Sequence, residues 1–294
     1  MKRTFIPGEE WLYYKIYVGK RSANMVLTDI VLPLSNALLT EGHIDKWFFI
    51  RYADPDFHLR IRLHLSDMEK LGLVISSMHQ AMATFIAEGI IYKVQIDTYQ
   101  RELERYGGES IALAESYFMH DSILVAGAID LIEDENLFAL YIVKTIDRLL
   151  DDFNISLDEK LDIAQKGADG FKTEFNANKH LNKQLAQKYR DHREQLRQLM
   201  QSIPEESELF PLEQLVRQRS EKMSFVAKDI LQLHKNGKLS LALHDLLWSF
   251  IHMSVNRAFK NKQRLHEMVC YDMLLRYYQM EIGKEKVKSR KSRI

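Results

Sequence analysis

WFFIRYADPDFHLRIRLHL, residues 47–65, reads as two short strands joined by a turn, with Asp54-Pro55-Asp56 supplying the turn chemistry. Strand residues two apart point to the same side of a sheet. His58, Arg60 and Arg62 therefore share one face of the second strand, and Leu59, Ile61 and Leu63 share the other. A guanidinium suits a carboxylate because its planar fork offers two parallel N–H donors. The pair Arg60/Arg62 thus suggests a site for an acidic group. An ordinary half-buried strand with a solvated basic face gives the same alternation.

Two further strands flank this pair. EWLYYKIYV (residues 10–18) and IIYKVQIDT (residues 90–98) are dense in aromatic and β-branched residues. Between them, an apolar-periodic stretch from Ser22 to Leu39 predicts a helix kinked at Pro33 and closed by Gly42. Asp67 caps a second helix over 67–87, whose stripe is Leu71, Val74, Ile75, Met78, Met82 and Phe85. After Tyr106-Gly107-Gly108 the periodicity is helical: about 110–133, 136–152, 158–166, 171–200, 212–235, 239–260 and 261–280. The helix over 171–200 is charged over much of its surface and is expected on the outside. IPEESELFP (203–211) is the best candidate for an internal linker. The expected fold class is α+β: one domain over 1–294, with a small, mostly antiparallel sheet in 1–108 and a mainly helical part in 109–294.

Lys plus Arg and Asp plus Glu number 41 each, so overall charge gives no argument for nucleic acid or membrane as partner. The exception is the basic tail, with Lys284, Lys286, Lys288, Arg290, Lys291 and Arg293, expected as a frayed, solvated end. Cys270 is the only cysteine, which excludes an internal disulfide and Cys-rich metal sites. No apolar run suggests a membrane span or a signal peptide, so the expected setting is cytoplasmic.

Two other segments concentrate ionisable residues. In DTYQRELERYGG (97–108), Glu102 and Arg105 are three apart and share a face if the segment is helical. In IHMSVNR (251–257), His252 and Asn256 are four apart on an apolar helix, with Arg257 beside them. Each has an ordinary explanation, an exposed ion-pair helix or a satisfied core histidine. HExxH, Walker, GxGxxG and GxSxG sequences are all missing.

Together the segments are more specific. WFFIRYADPDFHLRIR, DTYQRELERYGG followed by AESYFMHDS (114–122), and HMSVNR occur in the order found in the glutamate-elimination domain of class I lantibiotic dehydratases, also called the thiopeptide-type bacteriocin biosynthesis domain. The chain resembles that family from WLYYKIYVG onward.

The resemblance implies β-elimination of glutamate from glutamylated Ser and Thr of a ribosomal precursor peptide, leaving dehydroalanine or dehydrobutyrine. It implies a separate glutamyl-tRNA-dependent glutamylating enzyme as partner, no direct contact with nucleic acid, no metal or cofactor, and a possible homodimer. Arg60 and Arg62 match the family's strand arginines, Glu102 and Arg105 its RExxRYGG residues, and His252 its HM histidine. Arg60, Arg62, Arg105 and His252 are expected to be catalytic, and Glu102 to support them. His252 is the favoured acid or base, because an arginine is too strongly protonated to serve. His58, Asn256 and Arg257 lie in matching motifs with substrate and folding roles both open. Relatives on the same scaffold that form a pyridine ring from two dehydroalanines, and a non-catalytic precursor- or partner-binding subunit, are the competing readings.

Overall fold

A computed structural model describes residues 1–291 of the chain. Its contacts divide into two units: Met1–Leu131 with Glu221–Asn261, and Ile132–Ser220 with the chain from Lys262 onward.

The first unit contains a four-stranded antiparallel sheet in the order β3-β4-β2-β5, built from β2 (Trp11–Val18), β3 (Ile44–Ala53), β4 (Phe57–Leu65) and β5 (Ile91–Asp97). The expected strand pair over 47–65 is β3 and β4, with turn residues 54–56 between them. A separate two-stranded ladder, β1 (Thr4–Phe5) with β6 (Tyr99–Gln100), was not anticipated. Trp47, Phe49, Leu59, Ile61 and Leu63 are fully buried, as their parity requires.

The helix over 22–39 forms as α1 (Ala23–Val26), a π turn (Leu27–Val31) and α2 (Leu32–Thr40). Its irregularity lies in the π turn. Pro33 instead occupies the first turn of α2, directly after the π turn. This stretch is long and apolar enough to cross a membrane by length and composition alone, but Ala23, Val26, Leu27, Ile30, Val31 and Leu38 are buried within the fold. Asp67 caps a 3-10 turn that leads into α3 (Leu71–Ala87).

The sheet unit is completed by α4 (Leu103–Tyr106), α5 (Ile111–Leu131), the later part of α9 (Phe210–Lys235) and α10 (Leu243–Ala258). Both α5 and α10 pack on β3. The boundary between units therefore falls after Leu131, and not at the change in composition after Gly108.

The second unit holds α6 (Glu135–Asp152), α7 (Leu157–Glu174), α8 (Lys179–Met200), the start of α9 and α11 (Gln263–Lys291). The helix expected over 158–166 continues to Glu174, and the one expected from 171 begins only at Lys179. The break is local: Asn176 takes a left-handed φ of 46°, and the Asn178 side chain caps α8. Residues 203–211 form a turn inside this unit and are not a linker between units. The expected frayed tail is helical as far as Lys291, and Arg293 lies outside the described residues.

Candidate active site

Three aligned rows of side chains cross the sheet on the face that carries His58, Arg60 and Arg62. Register places Phe48, Arg62, Tyr13 and Asp97 in one row, Ile50, Arg60, Lys15 and Gln95 in the next, and Tyr52, His58, Tyr17 and Lys93 in the third. In the first row Arg62 lies between Phe48 and Tyr13, and in the third His58 lies between Tyr52 and Tyr17.

The basic face is solvated only in part: Arg60 is half-buried and Gln95 and Lys93 are exposed. His58 is fully buried and Arg62 is 8% exposed, because rings from neighbouring strands cover them. The Arg62 guanidinium lies 4.5 Å from the centre of the Tyr13 ring, 4.8 Å from Tyr99 and 5.2 Å from Phe48. Arg60 stacks on Tyr52 at 3.4 Å and donates from Nε to His58 Nε2 at 3.1 Å. His58 Nδ1 lies 2.8 Å from the Asp56 carbonyl, so the ring is the neutral Nδ1–H tautomer, accepting from Arg60 at Nε2. Burial, with Arg60 and Lys15 nearby, holds its pKa below the ordinary histidine value.

Arg62 lines a cavity of about 30 Å3 with Phe48, Ile50, Tyr99, Gln100, Glu102, Tyr106, Ile111, Phe118 and Met253. Among the described residues its guanidinium makes no hydrogen bond or ion pair, and Nε is buried without a partner. Burial pushes its pKa down, yet guanidinium remains protonated at any ordinary pH. The Glu102 carboxylate is largely exposed and lies 3.7 Å from Arg105 Nη1. Arg105 Nε donates to Ser249 Oγ on α10 at 3.4 Å.

Helical spacing puts Ser249, His252, Met253 and Asn256 along one side of α10. His252 therefore sits between the residue that Arg105 reaches and the residue that meets the β3 edge, on the side where Met253 enters the cavity lining. Arg62 and Glu102 line this cavity, and Arg105 reaches Glu102 and Ser249 beside it. Arg60 and His58 lie progressively farther along the same sheet face.

Asn256 and Arg257 have structural work. Asn256 Oδ1 accepts from Arg51 N and its Nδ2 donates to Arg51 O, both at 3.0 Å, so the amide serves as a partner for the β3 edge. Arg257 Nε donates to Phe49 O at 2.9 Å, and Nη1 pairs with Asp121 at 3.0 Å, both side chains fully enclosed. Ser122 Oγ accepts from Phe49 N at 3.2 Å. AESYFMHDS is thus a buried polar seam. Its Glu115 accepts from Arg101 and from Tyr99 Oη at 2.9 Å, which fixes one ring of the Arg62 cage.

Sequence reasoning missed Tyr13, Tyr52, Tyr99 and Tyr106. The available signal was the shared parity of Tyr13 and Tyr17 on the strand beside the arginines. Among the described residues no group of three or more His, Cys, Asp or Glu side chains is arranged to hold a metal ion.

The family pattern described as the C-terminal part of the lantibiotic biosynthesis dehydratase matches residues 11–278. The chain belongs to this family. It is 32% identical over 136 residues to the nisin biosynthesis protein NisB of Lactococcus lactis subsp. lactis, covering 46% of the chain and 13% of NisB. It is 24% identical over 198 residues to the subtilin biosynthesis protein SpaB of Bacillus subtilis, covering 64% of the chain and 19% of SpaB. The matches therefore span less than a fifth of these relatives. The fold resembles the tRNA-dependent lantibiotic dehydratase MibB from Microbispora sp. 107891, with a TM-score of 0.72, 19% identity, and coverage of 95% of this chain and 29% of MibB. It also resembles the pyridine synthase TbtD from thiomuracin biosynthesis, with a TM-score of 0.67, 13% identity, and coverage of 92% of this chain and all of TbtD.

Proposed function

We propose that this member of the lantibiotic dehydratase family eliminates glutamate from glutamylated Ser and Thr side chains of a ribosomal precursor peptide. The observation that carries the reading is the buried, unpaired Arg62 guanidinium beside Glu102 and Tyr106. A caged cation with free donors is suited to an oxygen that bears or gains negative charge. The base removes the Cα proton, its electrons form the Cα=Cβ bond, and the Cβ–O bond breaks as the pair leaves with the glutamate carboxylate. His252 moves the proton; Arg62 and Arg105 bind the charge, with Arg60 supporting from the next row. The ester is made by a glutamyl-tRNA-dependent glutamylating enzyme.

The test is mass spectrometry of a glutamylated precursor peptide incubated with the purified protein alone. Loss of one glutamate per modified residue is expected. His252→Ala is expected to bind peptide but to leave the glutamyl mass in place; undiminished elimination by that variant removes His252 from the mechanism.

Coverage of TbtD along its entire length favours a second reading, a cycloaddition of two dehydroalanines. A bis-dehydroalanine peptide that is turned over while a glutamylated one is not would select it.

A further inference from the structure

The two outer edges of the four-stranded sheet differ. On β3, Ser122 Oγ accepts from Phe49 N, Arg257 Nε donates to Phe49 O, and the Asn256 amide meets both Arg51 N and Arg51 O. Side chains thus close the middle of that edge. β5 lies at the other end of the strand order and pairs only with β2. In an antiparallel ladder every second residue turns its N–H and C=O away from the partner strand. Among the described residues, no side chain or further strand bonds to these outward groups between Ile91 and Asp97. An open edge of this kind accepts an extended chain as another strand.

The side chains along β5 select the kind of chain. Lys93 is exposed, lies 4.8 Å over the Tyr17 ring and has no carboxylate partner among the described residues. Asp97 is the only acid in β5, and Lys15 already holds it. A second copy of this edge therefore brings no free carboxylate to Lys93. Charge complementarity favours an acidic strand from a different molecule. Tyr92 and Ile96, 58% and 38% exposed, offer apolar contact near the two ends of the strand. The edge is also continuous with the candidate site. The Tyr92 ring lies 6.1 Å from Tyr17, and Tyr17 lies 4.7 Å from His58.

We infer that the outer edge of β5 docks an extended, acidic segment of the precursor peptide as a fifth strand of the sheet. The identity of the peptide rests on the elimination reading; the open edge and its charge do not. A strand added there stands three strand spacings from β4, about 14 Å. The docked segment is therefore separate from the reacting residue, and the chain joining them needs at least about four extended residues.

Amide hydrogen exchange of the whole chain, with and without a glutamylated precursor peptide, tests the docking edge. The peptide is expected to slow exchange at alternate residues of β5 and to leave the closed β3 edge unchanged. A glutamylated tripeptide cut from the same precursor is too short to reach β5 and should give no such protection. Lys93→Glu is expected to lower the preference in kcat/KM for precursor over tripeptide about fivefold at low ionic strength, and Lys93→Arg to keep it. No added protection over residues 91–97 overturns the inference, as does a preference that survives Lys93→Glu. Protection that needs no peptide and grows with protein concentration assigns the edge to a second copy and overturns it too. Protection of β5 by a peptide that then keeps its glutamate defeats the elimination reading and leaves the docking edge standing.

Discussion

Two buried arginines in the sheet unit are held in opposite ways. Arg257 is 0% exposed and places Nη1 on Asp121 and Nε on the Phe49 carbonyl, with Nη2 alone left without a partner among the described residues. Arg62 is 8% exposed and is surrounded by three rings and no acceptor. Burying a cation costs several kcal/mol unless a counter-charge offsets it, so the first arrangement closes a fold and the second leaves donors available to a ligand. The pattern around each residue, and not its burial, separates a structural arginine from a binding one.

The largest expected effect comes from breaking the paired case. Asp121→Ala leaves Arg257 charged, enclosed and without its carboxylate, and removes an acceptor from Ser254 Oγ. Destabilisation by about 3–5 kcal/mol is expected, read as a lower midpoint in urea. A variant within about 1 kcal/mol of wild type would show that the pair is not what closes the β3 edge.

Arg62→Met is the converse experiment. No internal hydrogen bond is lost and a desolvated charge is removed, so the urea midpoint should stay level or rise. Elimination should fall by about 10²- to 10³-fold, the usual cost of deleting one oxyanion-stabilising donor group. A loss of stability comparable to that of Asp121→Ala would mean that Arg62 is structural after all.

His120, half-buried, shows a third way to accommodate a base, which is to surrender the proton. On α5, burial assisted by Lys222 lowers its pKa to about 4. The folded state therefore favours the neutral ring. Its contribution is present above the unfolded value near pH 6.5 and is lost as pH falls towards 4. The expected size is about 2 kcal/mol, reduced from the full shift because the ring is only partly enclosed. Urea midpoints between pH 7 and 4.5 check it: His120→Gln should flatten the acid limb by that amount, and an unchanged slope would assign the loss to other groups.

Much of this contrast was legible in part. Parity in HLRIR placed Arg60 and Arg62 on one face because a two-residue period is local. The environment of that face was not local. The rings around Arg62 come from Tyr13, Phe48 and Tyr99, and only strand order and register bring them there. Closure of the β3 edge by Ser122 and Asn256 is equally remote, with Asn256 lying 205 residues from Arg51. The break before α8 was hidden for another reason: charged helical periodicity runs through Asn176, while its left-handed φ is a conformational choice of one residue. Whether a hydroxyl such as that of Tyr106 has a partner is a property of tertiary structure alone.

The smallest expected effect carries the least intuitive sign. Glu102 faces Arg105 at 3.7 Å with 64% of its side chain exposed, too loose a pair to support the fold, so Glu102→Gln should leave the urea midpoint unchanged. The same carboxylate lines the Arg62 cavity and repels any second carboxylate that enters it. Removing it should therefore tighten L-glutamate binding by up to about fivefold at low ionic strength, and less in salt. In that case Glu102 helps to expel the product. If affinity stays constant while elimination falls more than tenfold, its role is to orient Arg105 towards the reacting peptide.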